Sequence, residues 1–244
     1  MSIGRVKKQY YGLNFSWRRP GKIFLISTLI FAAIFFAATF KNTEYFPIKN
    51  VKIFGIKHLD YSEVQTLVSP LVNKNFFAVD VDRIKDSILQ MPWVDQVVVR
   101  RIWPDQVVVA ISERSPVAVW NDTSILSTAD ELFTPPRATY PAGLPELVGP
   151  RGEQLLMARY YAKMTSVLAP LHFKIRRLEL SPTMTWSITL DNGIKLYVGQ
   201  KDILTRLDHF VRVYSKIVGD RTADVGYIDL RYPNGMAVRW KSVT

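Results

Sequence analysis

The strongest constraint on this chain is an uncharged run at residues 23–40, IFLISTLIFAAIFFAATF, whose only polar side chains are Ser27, Thr28 and Thr39. Eighteen residues rise about 27 Å as an α-helix, close to the ~30 Å hydrocarbon core of a bilayer. Eleven of them are Ile, Leu or Phe, and at roughly −0.3 to −0.6 kcal/mol each they favour insertion by several kcal/mol. The run predicts a single membrane-spanning helix. Arg5, Lys7, Lys8, Arg18, Arg19 and Lys22 precede it, and no acid occurs before Glu44. That bias keeps the N-terminus cytoplasmic and exports everything after Phe40, a type II topology. Trp17 and Tyr45 fall where amphipathic rings favour the two headgroup layers. A cleaved signal peptide has an apolar region of only ~7–15 residues, so the length favours an anchor.

The formal charge of +11 suggests nucleic acid until it is divided along the chain. Six of the cations stand in residues 1–22, and beyond them the surplus is only 5. Such an excess draws a domain weakly to anionic headgroups and leaves no nucleic-acid footprint. Tyr10, Tyr11, Phe15 and Trp17 make residues 1–22 an interfacial basic tail. The chain has no cysteine, hence no disulfide, thiolate metal site or thiol nucleophile. An exported domain built this way must be held by its apolar core.

Past the span, 48–53 alternates like a strand and closes at Phe54-Gly55-Ile56. Asp60 with Glu63 opens a helix over 61–71 in a capping-box pattern, with Val64, Leu67, Val68 and Leu71 on one face. Asp80 caps a second helix that buries Ile84, Ile88 and Leu89 and stops before Pro92. Valine-rich 94–102 and 106–113 predict a β-hairpin turning at Trp103-Pro104-Asp105. The order β-α-α-β-β packs two helices on one face of a three-stranded sheet. After Pro116 come short strands at 117–120 and 125–127, a proline-rich loop over 135–145 and a helix over 153–168. Strands at 173–180 and 185–190 follow. Asp191-Asn192-Gly193 predicts a type I′ hairpin turn into 194–198. An amphipathic helix runs from Ile203 to Ile217. Strands 225–232 and 236–240 flank the turn Pro233-Asn234-Gly235. The fold class is α+β, with a mostly antiparallel second sheet carrying two helices.

Catalytic equipment is hard to find. His58, His172 and His209 form no HExxH-like pair, and no GxSxG, SxxK, KTG or GxxxxGK occurs. Asp80 and Asp82 are explained by capping better than by acid/base work. This favours a protein that binds, with no catalytic residue, metal or cofactor. Trp93 fits core packing. The aromatic and basic cluster at the end of the chain, Tyr227, Arg231, Tyr232, Arg239 and Trp240, is of the kind enriched at interface hot spots. A terminal strand is a natural sheet edge, open to a partner's strand. From these residues alone, an ordinary capped edge remains the alternative.

The segment PWVDQVVVRRIWPDQVVVAISERSPVAVW at 92–120 closely resembles the membrane-proximal module of the bacterial FtsQ/DivIB cell-division family. The run YIDLRYPNGMAVRW at 227–240 is similar to the end of that family's β-domain. The resemblance implies a cytoplasmic tail over 1–22, the span over 23–40, a POTRA domain over 47–115 and the β-domain over 116–244. It further implies a non-enzymatic divisome scaffold in the inner membrane at the septum. Its partners would be FtsB and FtsL on the periplasmic side, FtsW–FtsI through them, and FtsK. The implied FtsB site is Tyr227, Arg231, Tyr232, Asn234, Gly235, Met236, Ala237, Val238 and Trp240. There Arg231 would pair with a partner acid, Tyr232 and Trp240 would form an apolar pocket, and Asn234 and Gly235 would shape the turn. Two departures stand out. Pro233-Asn234 replaces a more acidic or serine-like turn, and Thr183-Met184-Thr185 lacks an arginine that some relatives carry. Two other classes are weighed against this one. A POTRA-containing translocation or outer-membrane assembly factor would bring repeated POTRA units or a β-barrel, and a tethered cell-wall enzyme would need a nucleophile or metal cluster.

Overall fold

The structure, a computed structural model, describes residues 20–40, 46–232 and 235–241. Helix α1 (Pro20–Phe40) is 21 residues long. Its side chains are described from Phe24 to Phe36, and all of these are exposed. Counted over the residues whose side chains are described, 24–36 in α1, no helix is long and apolar enough to cross a membrane. Trp17 and Tyr45 lie outside the described residues, as does the tail through residue 19.

Valine-rich strands build the first domain, with burial alternating at Val107, Val109 and Ile111. β2 (Val94–Ile102) and β3 (Gln106–Glu113) form the expected hairpin, and β1 (Asn50–Phe54) adds to β3 in parallel. The sheet order is therefore β1-β3-β2. Helices α2 (Tyr61–Val72) and α3 (Val81–Leu89) start where their caps dictate, Asp60 accepting from Ser62 N–H and Asp80 from Arg83 N–H. Val64, Val68, Ile84 and Ile88 of the helices bury against Val97, Val107, Val109 and Ile111 of the sheet. Fully burying such a side chain is worth about 1.5–3 kcal/mol, which lets a small domain fold without disulfides. Gly55 turns the chain out of β1 at φ +89°, and any Cβ there would collide with the carbonyl of Ile111.

The second domain is a nine-stranded sheet in the order β12-β11-β10-β9-β8-β7-β4-β5-β6. Its strands are β4 (Pro116–Trp120), β5 (Ser124–Ser127), β6 (Leu132–Phe133), β7 (Glu146–Val148), β8 (Ile175–Leu180), β9 (Trp186–Leu190), β10 (Lys195–Gly199), β11 (Val225–Asp229) and β12 (Ala237–Trp240). Antiparallel pairs predominate, but β4/β7, β7/β8 and β10/β11 are parallel. β7 joins the sheet just past the proline-rich loop, where no strand was expected. α4 (Gln154–Leu168) and α5 (Ile203–Ile217) are the crossovers that make β7/β8 and β10/β11 parallel. Met157, Met164, Leu168, Leu207 and Phe210 of these helices share one core with Leu178, Ile188 and Leu196 of the strands.

Two turns depart from expectation. At Asp191-Asn192-Gly193 only Gly193 is left-handed, at φ +86°, and Gly193 N–H reaches Leu190 O at 3.0 Å. That is a three-residue loop closed by a left-handed glycine, where a type I′ turn would need two positive φ angles. β11 ends at Asp229, three residues before the expected Tyr232. The Asp229 carboxylate captures Arg231 N–H at 2.9 Å, a local side-chain turn that competes with the ladder.

The two domains meet over Trp93, buried to 1% exposure with Ile125 and Phe133. His58 stacks on the indole at 4.3 Å, and Phe133 meets it edge-on at 5.1 Å. Glu113, at the end of β3, accepts the backbone N–H groups of Lys57, His58 and Leu59 at 2.7–3.1 Å and contacts His58 Nδ1 at 2.8 Å. Burial alone would raise this carboxyl. The N–H groups of Lys57 and Leu59, with His58, outweigh burial and hold it below its ordinary range. Arg114, the next residue, pairs with Glu131 of the second domain.

Candidate functional site

β12 is the last strand of the large sheet, and its sheet partner among the described residues is β11. The register sets Trp240 opposite Val225, Arg239 opposite Tyr227, Val238 opposite Ile228 and Ala237 opposite Asp229. Lys241 N–H donates to Asp224 O at 2.7 Å, so the strand's inward-pointing positions are 241, 239 and 237. Alternation then turns the N–H and C=O groups of Val238 and Trp240 outward, away from β11. A row of backbone groups so placed is a template for another strand.

Side chains divide by face. Met236, Val238 and Trp240 are half-buried against the core over α5. Arg221 lies over the Trp240 ring at 4.3 Å, a cation–π contact that locks the indole in place. Ala237 is exposed, and Tyr227 is 40% exposed on the sheet face opposite the helices. There Tyr227 meets Tyr197 edge-on at 5.4 Å. Farther along that face Arg177 bridges Glu146 and Glu179, and Lys195 reaches Glu179 at 3.0 Å. Burial would raise Glu179, but the bonds from Lys195, Arg177 and Ser187 hold it below its ordinary value.

Arg231 is engaged within its own chain. Its Nη2 stands 2.6 Å from Asp229 Oδ2, its Nε 2.9 Å from Oδ1, and its guanidinium 5.7 Å from the Tyr197 ring centroid. The pairing with Arg231 outweighs burial and lowers the Asp229 carboxyl. Tyr232 is 57% exposed and, with Gly235, borders a groove of about 600 Å³ against α5. Arg206, His209 and Arg212 line its helical wall. Asn234 lies outside the described residues.

The structure thus gathers Tyr227, Arg231, Tyr232, Gly235, Met236, Ala237, Val238 and Trp240 around one hairpin. Sequence reasoning missed Arg221, Tyr197 and the α5 cations beside it. Strand–helix–strand order over 195–229 was the available signal, since it predicts a parallel crossover that brings α5 under this edge. At 183–185, where no arginine stands, Gln200 Nε2 bonds Thr183 O at 2.8 Å. Among the described residues no group of His, Asp and Glu is placed to hold a metal ion.

The fold defines a two-domain α+β protein, a POTRA-like module followed by a larger sheet that ends in an open edge. Comparison with known proteins gives the family. Residues 46–114 match the POTRA domain, FtsQ-type, and 118–231 match the cell division protein FtsQ/DivIB C-terminal domain. A cell division protein FtsQ of Alcanivorax borkumensis is 32% identical over 92% of this chain and 86% of its own. Those of Coxiella burnetii and Burkholderia pseudomallei are 30% and 32% identical, covering 84% and 80% of both chains in each pair. The chain belongs to the FtsQ/DivIB family of cell-division proteins.

Proposed function

We propose that this chain is a non-enzymatic, single-span scaffold of the division machinery, anchored in the inner membrane at the septum with its C-terminal domains in the periplasm. A 21-residue α1 reaches about 31 Å at 1.5 Å per residue, enough for the hydrocarbon core. Exposed Phe24, Phe31 and Phe35 along it call for apolar surroundings. FtsB, with FtsL, is the partner of the β12 edge, and FtsW–FtsI is reached through them. FtsK is a further partner.

The observation that carries the reading is the place of β12 at the end of the sheet, with outward N–H and C=O groups at Val238 and Trp240. Added strands gain affinity from main-chain bonds and selectivity from side chains at alternate positions. Tyr232 and the groove beside it supply an aromatic anchor next to that edge. Arg231 would reach a partner acid while still held by Asp229, its guanidinium having donors to spare. The test is capture of FtsB by the full-length chain in detergent. Val238→Pro removes an outward N–H, Tyr232→Ala removes the exposed ring, and both should lose capture while the circular dichroism spectrum is kept. Capture unchanged in both variants would sink the assignment.

A further inference from the structure

At the end of the POTRA module where the chain arrives from α1, apolar and basic side chains collect that the partner site does not use. The tip of the β2–β3 hairpin carries Ile102 and Trp103, 47% and 67% exposed, and Phe77 beside it is 51% exposed. Hydrogen bonds to backbone carbonyls tie these segments together. Lys49 N–H donates to Asp105 O at 2.9 Å, Phe76 N–H to Phe46 O at 2.8 Å, and Arg101 Nη1 to Phe77 O at 3.2 Å. Exposed Lys49, Lys52, Lys74, Arg100 and Arg101 surround them. Among the described residues, Asp105 in the hairpin turn is half-buried, the Asp80 carboxylate caps α3, and Asp82 in the first turn of α3 is exposed.

We infer that this end of the module rests on the anionic outer surface of the same bilayer that holds α1. The inference rests on the proposed span. Phe46 follows the last residue of α1 by six positions, so it lies within about 22 Å of the helix end even if the link is fully extended. Its ring meets Phe77 at 6.0 Å. The cluster is thus held close to the headgroup layer, where Trp and Phe rings with neighbouring Lys and Arg gain from insertion and from the surface potential. The opposite end of the same sheet, at Ser112, leads toward the second domain. The contact would fix how the module stands on the membrane, and through the Trp93 seam would orient the partner-binding edge.

The chain has no cysteine, so single-cysteine variants report single positions. Full-length Trp103→Cys, Phe77→Cys and Ser112→Cys would each be labelled with bimane and reconstituted into phosphatidylcholine vesicles containing about a quarter phosphatidylglycerol, with and without doxyl-labelled lipid. The labels at 103 and 77 should be quenched at least about twofold more than the label at 112, as side chains within a few ångströms of the acyl boundary are. Lys52→Glu with Arg100→Glu should lower that ratio. Incorporated protein whose label at 103 is quenched no more than that at 112 overturns the contact. Equal quenching at 103 in purely phosphatidylcholine vesicles overturns the anionic surface as its partner. Protein that fails to incorporate overturns the span, and the contact with it.

Discussion

Trp93 donates its indole Nε1–H to Thr139 Oγ1 across 2.7 Å, bonding the start of the POTRA hairpin to a 3₁₀ turn of the second domain. The ring is buried on the POTRA side by His58 and on the other by Phe133. Trp93→Ala should therefore cost about 3–5 kcal/mol, and it should split one urea transition of the full-length chain into two. Trp93→Phe keeps most of the packing and drops the hydrogen bond, a loss of about 1 kcal/mol. A single transition unchanged in Trp93→Ala would show that the domains hold their arrangement without it.

Glu113 gives the seam a dependence on acid. Its folded carboxyl lies below the ordinary 4.5, so its contribution is fully present above that value and is lost as pH falls through the folded one. Glu113→Gln should destabilise the chain by about 1–3 kcal/mol at neutral pH. Melting curves of variant and parent should converge below pH 4.5. A gap that persisted into acid would mean that shape, and not charge, holds the loop over residues 57–59.

Two glycines with nearly the same backbone angle should respond differently to a methyl group. Gly55 meets the Ile111 carbonyl, whereas a Cβ on Gly193 meets open space. Gly193→Ala should cost about 1 kcal/mol, the price of a left-handed alanine. Gly55→Ala adds a clash with backbone in the middle of the module and should lose more than about 3 kcal/mol. Chemical denaturation of the two variants side by side checks this, and equal losses would contradict the close approach at Gly55.

Tyr232 and Trp240 should separate binding from stability. Tyr232→Ala removes an exposed ring, so partner capture falls while stability stays within about 0.5 kcal/mol. Trp240 packs on the core beneath Arg221, so Trp240→Ala should weaken capture and also cost about 2 kcal/mol or more. Pull-down and thermal melts on the same preparations read both quantities. A Trp240→Ala chain as stable as its parent would show that the ring contributes nothing to its own sheet.

Most of this architecture was written locally. Caps at Asp60 and Asp80, the valine-rich runs of β2 and β3, and the apolar stripe of α5 depend on neighbours within a few residues, and local pattern reports such neighbours directly. The uncharged run at 23–40 likewise announces a helix from composition alone. Tertiary structure decided what depends on residues far apart in the chain. Trp93 was legible as buried, but its role in joining two domains needed Phe133 and Thr139 from beyond the boundary. Arg231 was expected to pair with a partner acid, and its tie to its own Asp229 went unseen because that turn halts the strand, a competition between side chain and ladder that propensity does not weigh. That the last strand is a rim was legible, but which strands lie beside it was not: the order β12-β11-β10 is settled by the crossovers that bury α4 and α5 against the same face.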